Sequence, residues 1–232
     1  MTQKRATSFP FRRAVTVADE RLAQRCAKGR IVLIDDDPDI LAAFAALLEL
    51  EGYACETHVS ALAYLQVLNY NQPSFPGPGC VLCDVKMPEV DGLELQRRLQ
   101  EIDDVPLLLM SGASGAAEAV SAFRGGALDF LIKPIDADAL LDAVARALAL
   151  SRERQQQARL HNDLSDRIAS LTEREYAVAI RVAQGQTNQE IADALGIALR
   201  TVKLHRQRAM EKVGAGGTAD LVRIATAGGL LT

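Results

Sequence analysis

The chain has 232 residues, 49% of them apolar, which allows one large or two modest domains with real cores. No apolar run reaches the roughly 18 residues of a membrane span, and no continuous apolar stretch follows the basic N-terminus as a signal peptide requires. The four cysteines, Cys26, Cys55, Cys80 and Cys83, make no disulfide framework, so a reducing, cytoplasmic setting is expected. The net charge of −4 hides an asymmetry: residues 1–29 carry +5, residues 30–150 carry −12, residues 151–167 carry +1 and residues 168–232 carry +2. An acidic body joined to a mildly basic end suggests cation chemistry in the first and polyanion binding in the second.

Residues 1–29 have no convincing periodicity and are expected to form a poorly ordered basic tail. From Arg30 the pattern alternates. "RIVLID" is a short buried strand, "DILAAFAALLELEG" a helix stopping at Gly52, and "YACETH" a half-buried strand. "SALAYLQVL" is a short helix with Ser60 as its N-cap, and "NYNQPSFPGPG" is a loop. "CVLCD" is a strand and "GLELQRRLQEI" a helix. "VPLLLMS" is a strand, "GAAEAVSAFRGG" a helix and "LDFLIK" a strand, and a long helix begins near Asp136. Five strands alternating with five helices predict one parallel sheet with helices on both faces. Residues 151–167, polar and free of Gly and Pro, read as a helical linker. Residues 168–232 carry helix signals and no strand signal.

An open parallel sheet binds ligands beyond the carboxyl ends of its strands. This sequence puts Asp35, Asp36 and Asp37 after the first strand, Asp84 after the third, Ser111 after the fourth, and Lys133 then Pro134 after the fifth. Any one acid there is an ordinary cap or turn residue. Asp35, Asp36 and Asp84 could not sit together ionised without a cation. A hard divalent ion such as Mg²⁺, which keeps waters and accepts a phosphate ligand, resolves the repulsion. Carboxylate nucleophile, metal, lysine and hydroxyl together make a phosphoryl-transfer site. Cys80 and Cys83 form a CxxC, but in a strand they face opposite sides and read as buried small hydrophobes. His58, His161 and His205 lie on different elements and suggest no metal site.

In the C-terminal part, "LTEREYAVAIRVAQG" opens with the capping-box spacing Thr172–Glu175, and "TNQEIADALG" repeats it with Thr187–Glu190. A third, basic helix, "RTVKLHRQRAMEKVG", follows. Two capped helices with a Gly-containing turn and then a basic helix form a helix-turn-helix pattern. On a wheel, Val202, Ala209 and Val213 face the core, flanked by His205 and Arg206. Arg200, Lys203, Leu204, Gln207, Arg208 and Glu211 occupy the opposite face. Lys and Gln can read base edges, and Arg and Thr at the margins suit phosphates. A solvated helix face alone would look similar, and its position after two capped helices favours DNA.

On "IDDDPDI", "CDVKMPEVDG", "MSG" and "DFLIKP", residues 30–150 resemble the receiver domain of two-component response regulators. On "LTERE", "TNQEIADALGI", "RTVKLHR" and "KVGA", residues 168–232 resemble the LuxR-type DNA-binding domain. The combination resembles the NarL/FixJ class. The resemblance implies a five-stranded doubly wound α/β receiver of strand order 2-1-3-4-5 followed by a small all-α helix-turn-helix domain. It implies that a sensor histidine kinase phosphorylates Asp84, and that Asp36, Asp84 and the carbonyl of Lys86 bind Mg²⁺ with Asp35 helping through water. Ser111 and Lys133 would hold the phosphoryl oxygens, Phe130 would swing inward as Ser111 moves, and Lys133–Pro134 would be cis. Lys203, Leu204 and Gln207 would enter the groove of double-stranded DNA, with Arg200, Thr201, His205 and Arg208 beside them. A homodimer on phosphorylation and RNA polymerase are the further partners implied, with no membrane role. One departure stands out: Ala198 and Leu199 precede the recognition helix where Ser or Thr usually caps it. An aspartyl-phosphate phosphatase would want a second acid where Lys86 stands, so the chain is not expected to be an enzyme beyond its own phosphoryl transfer and slow dephosphorylation. A DNA-binding protein with a purely structural receiver is the remaining rival.

Overall fold

The structure, a computed structural model, describes residues 28–68, 77–102, 105–112 and 116–228. The basic tail over 1–27 and most of the Pro/Gly loop, 69–76, lie outside the described residues. The chain divides into two compact units between Glu153 and Arg154.

In the first unit, β1 (Arg30–Ile34), β2 (Ala54–His58), β3 (Gly79–Asp84), β4 (Leu107–Ser111) and β5 (Asp129–Ile132) form one parallel sheet. Its order is β2-β1-β3-β4-β5. Around it lie α1 (Pro38–Leu50), α2 (Ala61–Val67), α3 (Gly92–Ile102), α4 (Ala116–Arg124) and the long α5 (Ala137–Ala169). β3 and β4 are buried along their whole length. Both faces of the sheet are covered, so these strands read as continuous apolar runs rather than alternating ones. Alternate residues feed two cores. Val32, Ile34, Val81, Cys83 and Leu109 pack with Leu95 and Leu99 of α3 and Tyr64 of α2. Ile31, Leu33, Cys80, Leu82 and Met110 pack with Leu41 and Leu48 of α1 and Leu140, Val144 and Leu148 of α5. Cys80 and Cys83 therefore lie on opposite faces, each fully buried.

Local chemistry sets where the helices begin. Asp37 caps α1, accepting from the N–H groups of Asp39 and Ile40, with Pro38 at the first turn. Ser60 caps α2, its Oγ accepting from the Ala63 N–H. The Lys133–Pro134 peptide is cis, as the resemblance implied.

The second unit holds α6 (Glu173–Ala183), α7 (Asn188–Leu195), α8 (Leu199–Val213) and α9 (Thr218–Ala227). Both expected capping boxes form, at Thr172–Glu175 and Thr187–Glu190. The core joins Val178, Val182, Ile191, Val202, Ala209, Val213 and Leu221, with Leu164 and Ile168 from the last turns of α5 packed on it. Residues 151–167, expected as a helical linker, are all helical within α5.

Candidate phosphoryl-acceptor site and nucleic-acid interface

The first site is built at the carboxyl ends of β1, β3, β4 and β5. Asp84 ends β3 and is 5% exposed; Asp35, just past β1, and Ser111, ending β4, are 1% exposed. The Lys133 ammonium donates to Asp35 Oδ2 at 2.6 Å and to Asp84 Oδ1 at 2.5 Å. Burial alone would pull the Lys133 pKa down, but the bonds to Asp35 and Asp84 outweigh it and hold the group above the ordinary lysine value. The remaining oxygens are also engaged. Asp35 Oδ1 accepts from the Asp37 N–H at 3.0 Å, and Asp84 Oδ2 accepts from the Lys86 N–H at 2.6 Å. Strand register brings the pieces together, since Ser111 pairs with Ile132 and its carbonyl accepts from the Lys133 N–H. The Ser111 hydroxyl is buried with no hydrogen-bond partner. Phe130, on β5, is half-buried and packs against the first core.

Asp36 is exposed and lines an open cleft with Lys86, Met87, Asp91 and Glu118. Among the described residues no three His, Cys, Asp or Glu side chains are gathered into a ready metal cage. The arrangement still fits Mg²⁺, which takes one or two carboxylates and keeps waters. One ammonium faces two buried carboxylates, leaving the rim short of positive charge.

The loop after Asp84 explains the "CDVKMPEVDG" sequence. A Cβ on Gly92 would stand 2.5 Å from the Asp84 carbonyl oxygen, so only glycine lets α3 start against the end of β3. Glu89 takes a positive φ of 65°, uncommon for a residue with a Cβ. Asp91 accepts from the Glu94 N–H in the first turn of α3. Sequence reasoning missed Glu118. Its Oε1 pairs with the Lys86 ammonium at 3.4 Å, and its Oε2 is buried without a partner. An acid in the first turn of the helix after the switch serine was the available signal, but nothing in the sequence ties it to Lys86.

The second candidate site is the outer face of α8. Arg200, Lys203, Leu204, Gln207, Arg208 and Glu211 are exposed, and Val202, Ala209 and Val213 are buried, as the wheel predicts. Arg200, Lys203 and Arg208 make no hydrogen bond or ion pair among the described residues. Gln207 donates to Glu211 at 2.9 Å and keeps its amide oxygen. Thr201 and His205 are half-buried, and His205 Nδ1 is shut away without a partner, which leaves Nε2 for any contact. Ala198 gives no side-chain cap to α8, the departure noted in the sequence. At the other end Lys212 donates to Glu175, which is 4% exposed, at 2.6 Å, and to the Ser170 carbonyl at 3.1 Å. Lys212, and then the Thr172 N–H of the capping box, hold the Glu175 carboxyl down at about 2.

Comparison with known proteins gives two matches that together cover most of the chain. A family described as "Response regulator receiver domain" matches residues 31–145, and one described as "Bacterial regulatory proteins, luxR family" matches residues 169–225. The chain is 35% identical over 195 residues to the response regulator protein TodT of Pseudomonas putida, covering 84% of each. It is 34% identical over 207 residues to the transcriptional regulatory protein FixJ of Bradyrhizobium diazoefficiens, covering 88% of this chain and 98% of that one. The solved structure of the response regulator StyR superposes with a TM-score of 0.76 at 34% identity, covering 86% of this chain and 99% of that one.

Proposed function

Because the chain belongs to the response regulators that join a receiver domain to a luxR-type DNA-binding domain, we propose that phosphorylation of Asp84 drives its dimerisation and sequence-specific DNA binding. The family regulates transcription and is not one of classical enzymes. An Asp84 oxygen attacks the phosphorus of a phosphohistidine on a sensor kinase, the P–N bond breaks, and the imidazole nitrogen keeps the electron pair. Lys133 moves from bridging two carboxylates to holding the phosphoryl oxygens, and the buried Ser111 hydroxyl gains the partner it lacks. Asp36, Asp84 and the carbonyl of Lys86 would hold Mg²⁺, with Asp35 acting through water. The ion supplies charge neutralisation for the transferred group.

What supports this reading most is the bridge from Lys133 to Asp35 and Asp84 beside an unpartnered Ser111 hydroxyl. Every group that must touch a phosphoryl oxygen stands on one rim. The outlet is the face of α4 and β5, where Val120, Phe123 and Ile132 point apolar surface outward. Phe130 turns in as Ser111 moves, and that face becomes self-complementary. Two copies then place two α8 helices on one duplex, with half-sites about one turn apart, and binding gains from effective concentration. The domains assigned to these roles are residues 30–150 and 168–232, with 151–167 as the helical connection. RNA polymerase, a homodimer partner and double-stranded DNA are the macromolecules met in the cytoplasm. No helix among the described residues is long and apolar enough to cross a membrane.

Sedimentation with beryllofluoride and Mg²⁺ tests the reading. Monomer should convert to dimer, and DNA affinity should rise in parallel. A modified chain that stays monomeric yet binds DNA more tightly rules out dimerisation as the switch.

A further inference from the structure

We infer that Arg206 is a positioning residue for DNA recognition, tying the middle of α8 to the starts of α7 and α9 and so setting the angle at which α8 meets the duplex. The inference rests on the reading of α8 as the recognition helix. Arg206 Nη1 donates to Asn188 Oδ1 at 3.1 Å, and Nη2 donates to Thr218 Oγ1 at 2.8 Å. Asn188 is the first residue of α7 and Thr218 the first of α9. One planar fork therefore spans three helices, and its rigid donor geometry fixes direction as well as distance.

This use of charge sets Arg206 apart from its neighbours. Arg200, Lys203 and Arg208 are exposed and bonded to nothing among the described residues, so they are free to neutralise phosphates. Arg206 is half-buried and has both terminal nitrogens bonded within the chain, to half-buried Asn188 and to exposed Thr218. The tether also answers a weakness at the start of α8. Ala198 offers no side-chain cap, and backbone bonds from Thr201 and Val202 to its carbonyl close the first turn. The C-terminal end is fixed by Lys212 on Glu175. Between these ends, the buried stripe of Val202, Ala209 and Val213 is apolar and non-directional, and a helix can roll on such a stripe. Arg206 is what opposes the roll. Base-edge hydrogen bonds demand correct angles, whereas phosphate contacts tolerate small rotations. Losing the tether should therefore cost specific binding and spare non-specific binding.

The test uses the full chain. Wild type first selects a duplex from a random pool. Arg206→Met, which keeps the stem and removes the fork, is then titrated on that duplex and on a scrambled one, across roughly 50 to 200 mM salt. Affinity for the selected duplex should fall about tenfold, the loss of one good base contact. Affinity for the scrambled duplex should stay within about twofold, and the salt slope should not change. Arg208→Ala should instead lower the slope by about one. Arg206→Lys, which keeps the charge and loses the fork, should reproduce most of the loss. Asn188→Ala and Thr218→Ala remove the acceptors with Arg206 in place, so the tether stays testable if Arg206→Met does not fold. Each should show part of the loss, and Asn188→Ala should not add fully to Arg206→Met. If Arg206→Met weakens both duplexes equally and flattens the slope, Arg206 is a phosphate contact and the inference is overturned. Full rescue by Arg206→Lys, or no loss in any of these variants, also overturns it. If wild type selects no duplex, the recognition reading itself fails, a result separable from all the others.

Discussion

On the rim of the first unit the charged groups are bonded to each other, whereas on the outer face of α8 three cations are bonded to nothing among the described residues. Lys133 bridges Asp35 and Asp84, and each of those carboxylates takes a backbone N–H as well. Arg200, Lys203 and Arg208 stand in solvent. The difference follows from burial. A carboxylate 1–5% exposed, like Asp35 or Asp84, is costly to bury unless it is paired and hydrogen-bonded. An exposed cation costs little to leave in water, and it gains when it replaces the counterions condensed on a polyanion. In the proposed function the buried carboxylates and Lys133 would therefore exchange partners they already have, whereas the cations of the helix would acquire partners they lack.

Four experiments break or sharpen that contrast. The largest effect is expected from Asp84→Asn, which removes the nucleophile. Mass spectrometry after acetyl phosphate or beryllofluoride with Mg²⁺ should find one adduct on wild type and none on the variant, and a stable adduct on the variant rules out Asp84 as sole acceptor. Next is Lys203→Ala, which should cost about 1 to 3 kcal/mol of DNA binding and relax preference at one base pair. Equal weakening on all sequences, read from competition titrations, would make Lys203 a phosphate contact only. Third, Lys86→Ala removes a cation two residues past Asp84 that, in the proposed function, would shield the phosphoryl group from an attacking water. The half-life of the phosphorylated form should shorten by roughly threefold, less than 1 kcal/mol of barrier. An unchanged half-life in a phosphorus NMR time course sinks the shielding role. The smallest effect concerns Glu175, an exception to the contrast, because it is a buried carboxylate paired with the exposed Lys212 in the last turn of α8. Lys212 holds its folded pKa at about 2 against an ordinary 4.5. A depressed carboxylate stabilises the fold above its unfolded pKa, and the contribution drains away as pH falls from about 4.5 towards about 2. Thermal unfolding of Lys212→Met should lose part of the wild-type acid sensitivity in that window. Parallel melting curves for the two proteins would deny the pair this role.

Much of the architecture was legible because it depends on local pattern. Buried β3 and β4 are apolar runs, and an apolar run ending in Asp84 or Ser111 can be read without coordinates. The capping boxes at Thr172 and Thr187 are spacings of three. The wheel placed Val202, Ala209 and Val213 correctly because a helix has one period. What escaped were contacts made by chain reversal over long distances. The Lys86–Glu118 pair joins a loop to a helix 32 residues on, and Arg206 reaches back 18 residues to Asn188. The wheel set Arg206 beside the core stripe but could not say what it touches. Gly92 was legible as the start of a helix and not as a close backbone approach, and the positive φ of Glu89 had no reading in the sequence.

The cysteines carry a consequence for watching this molecule open. Cys80 and Cys83 are fully buried on opposite faces of one strand, and burial pushes the Cys80 thiol up to about 12 and the Cys83 thiol well above its ordinary value. Burial disfavours the thiolate, the reactive species, at both positions while the sheet is closed. No cysteine occurs after Cys83, so the DNA-binding half is silent to thiol reagents. A brief pulse of iodoacetamide at these two positions becomes a clock for sheet opening, one label for each face, with no signal from the C-terminal helices.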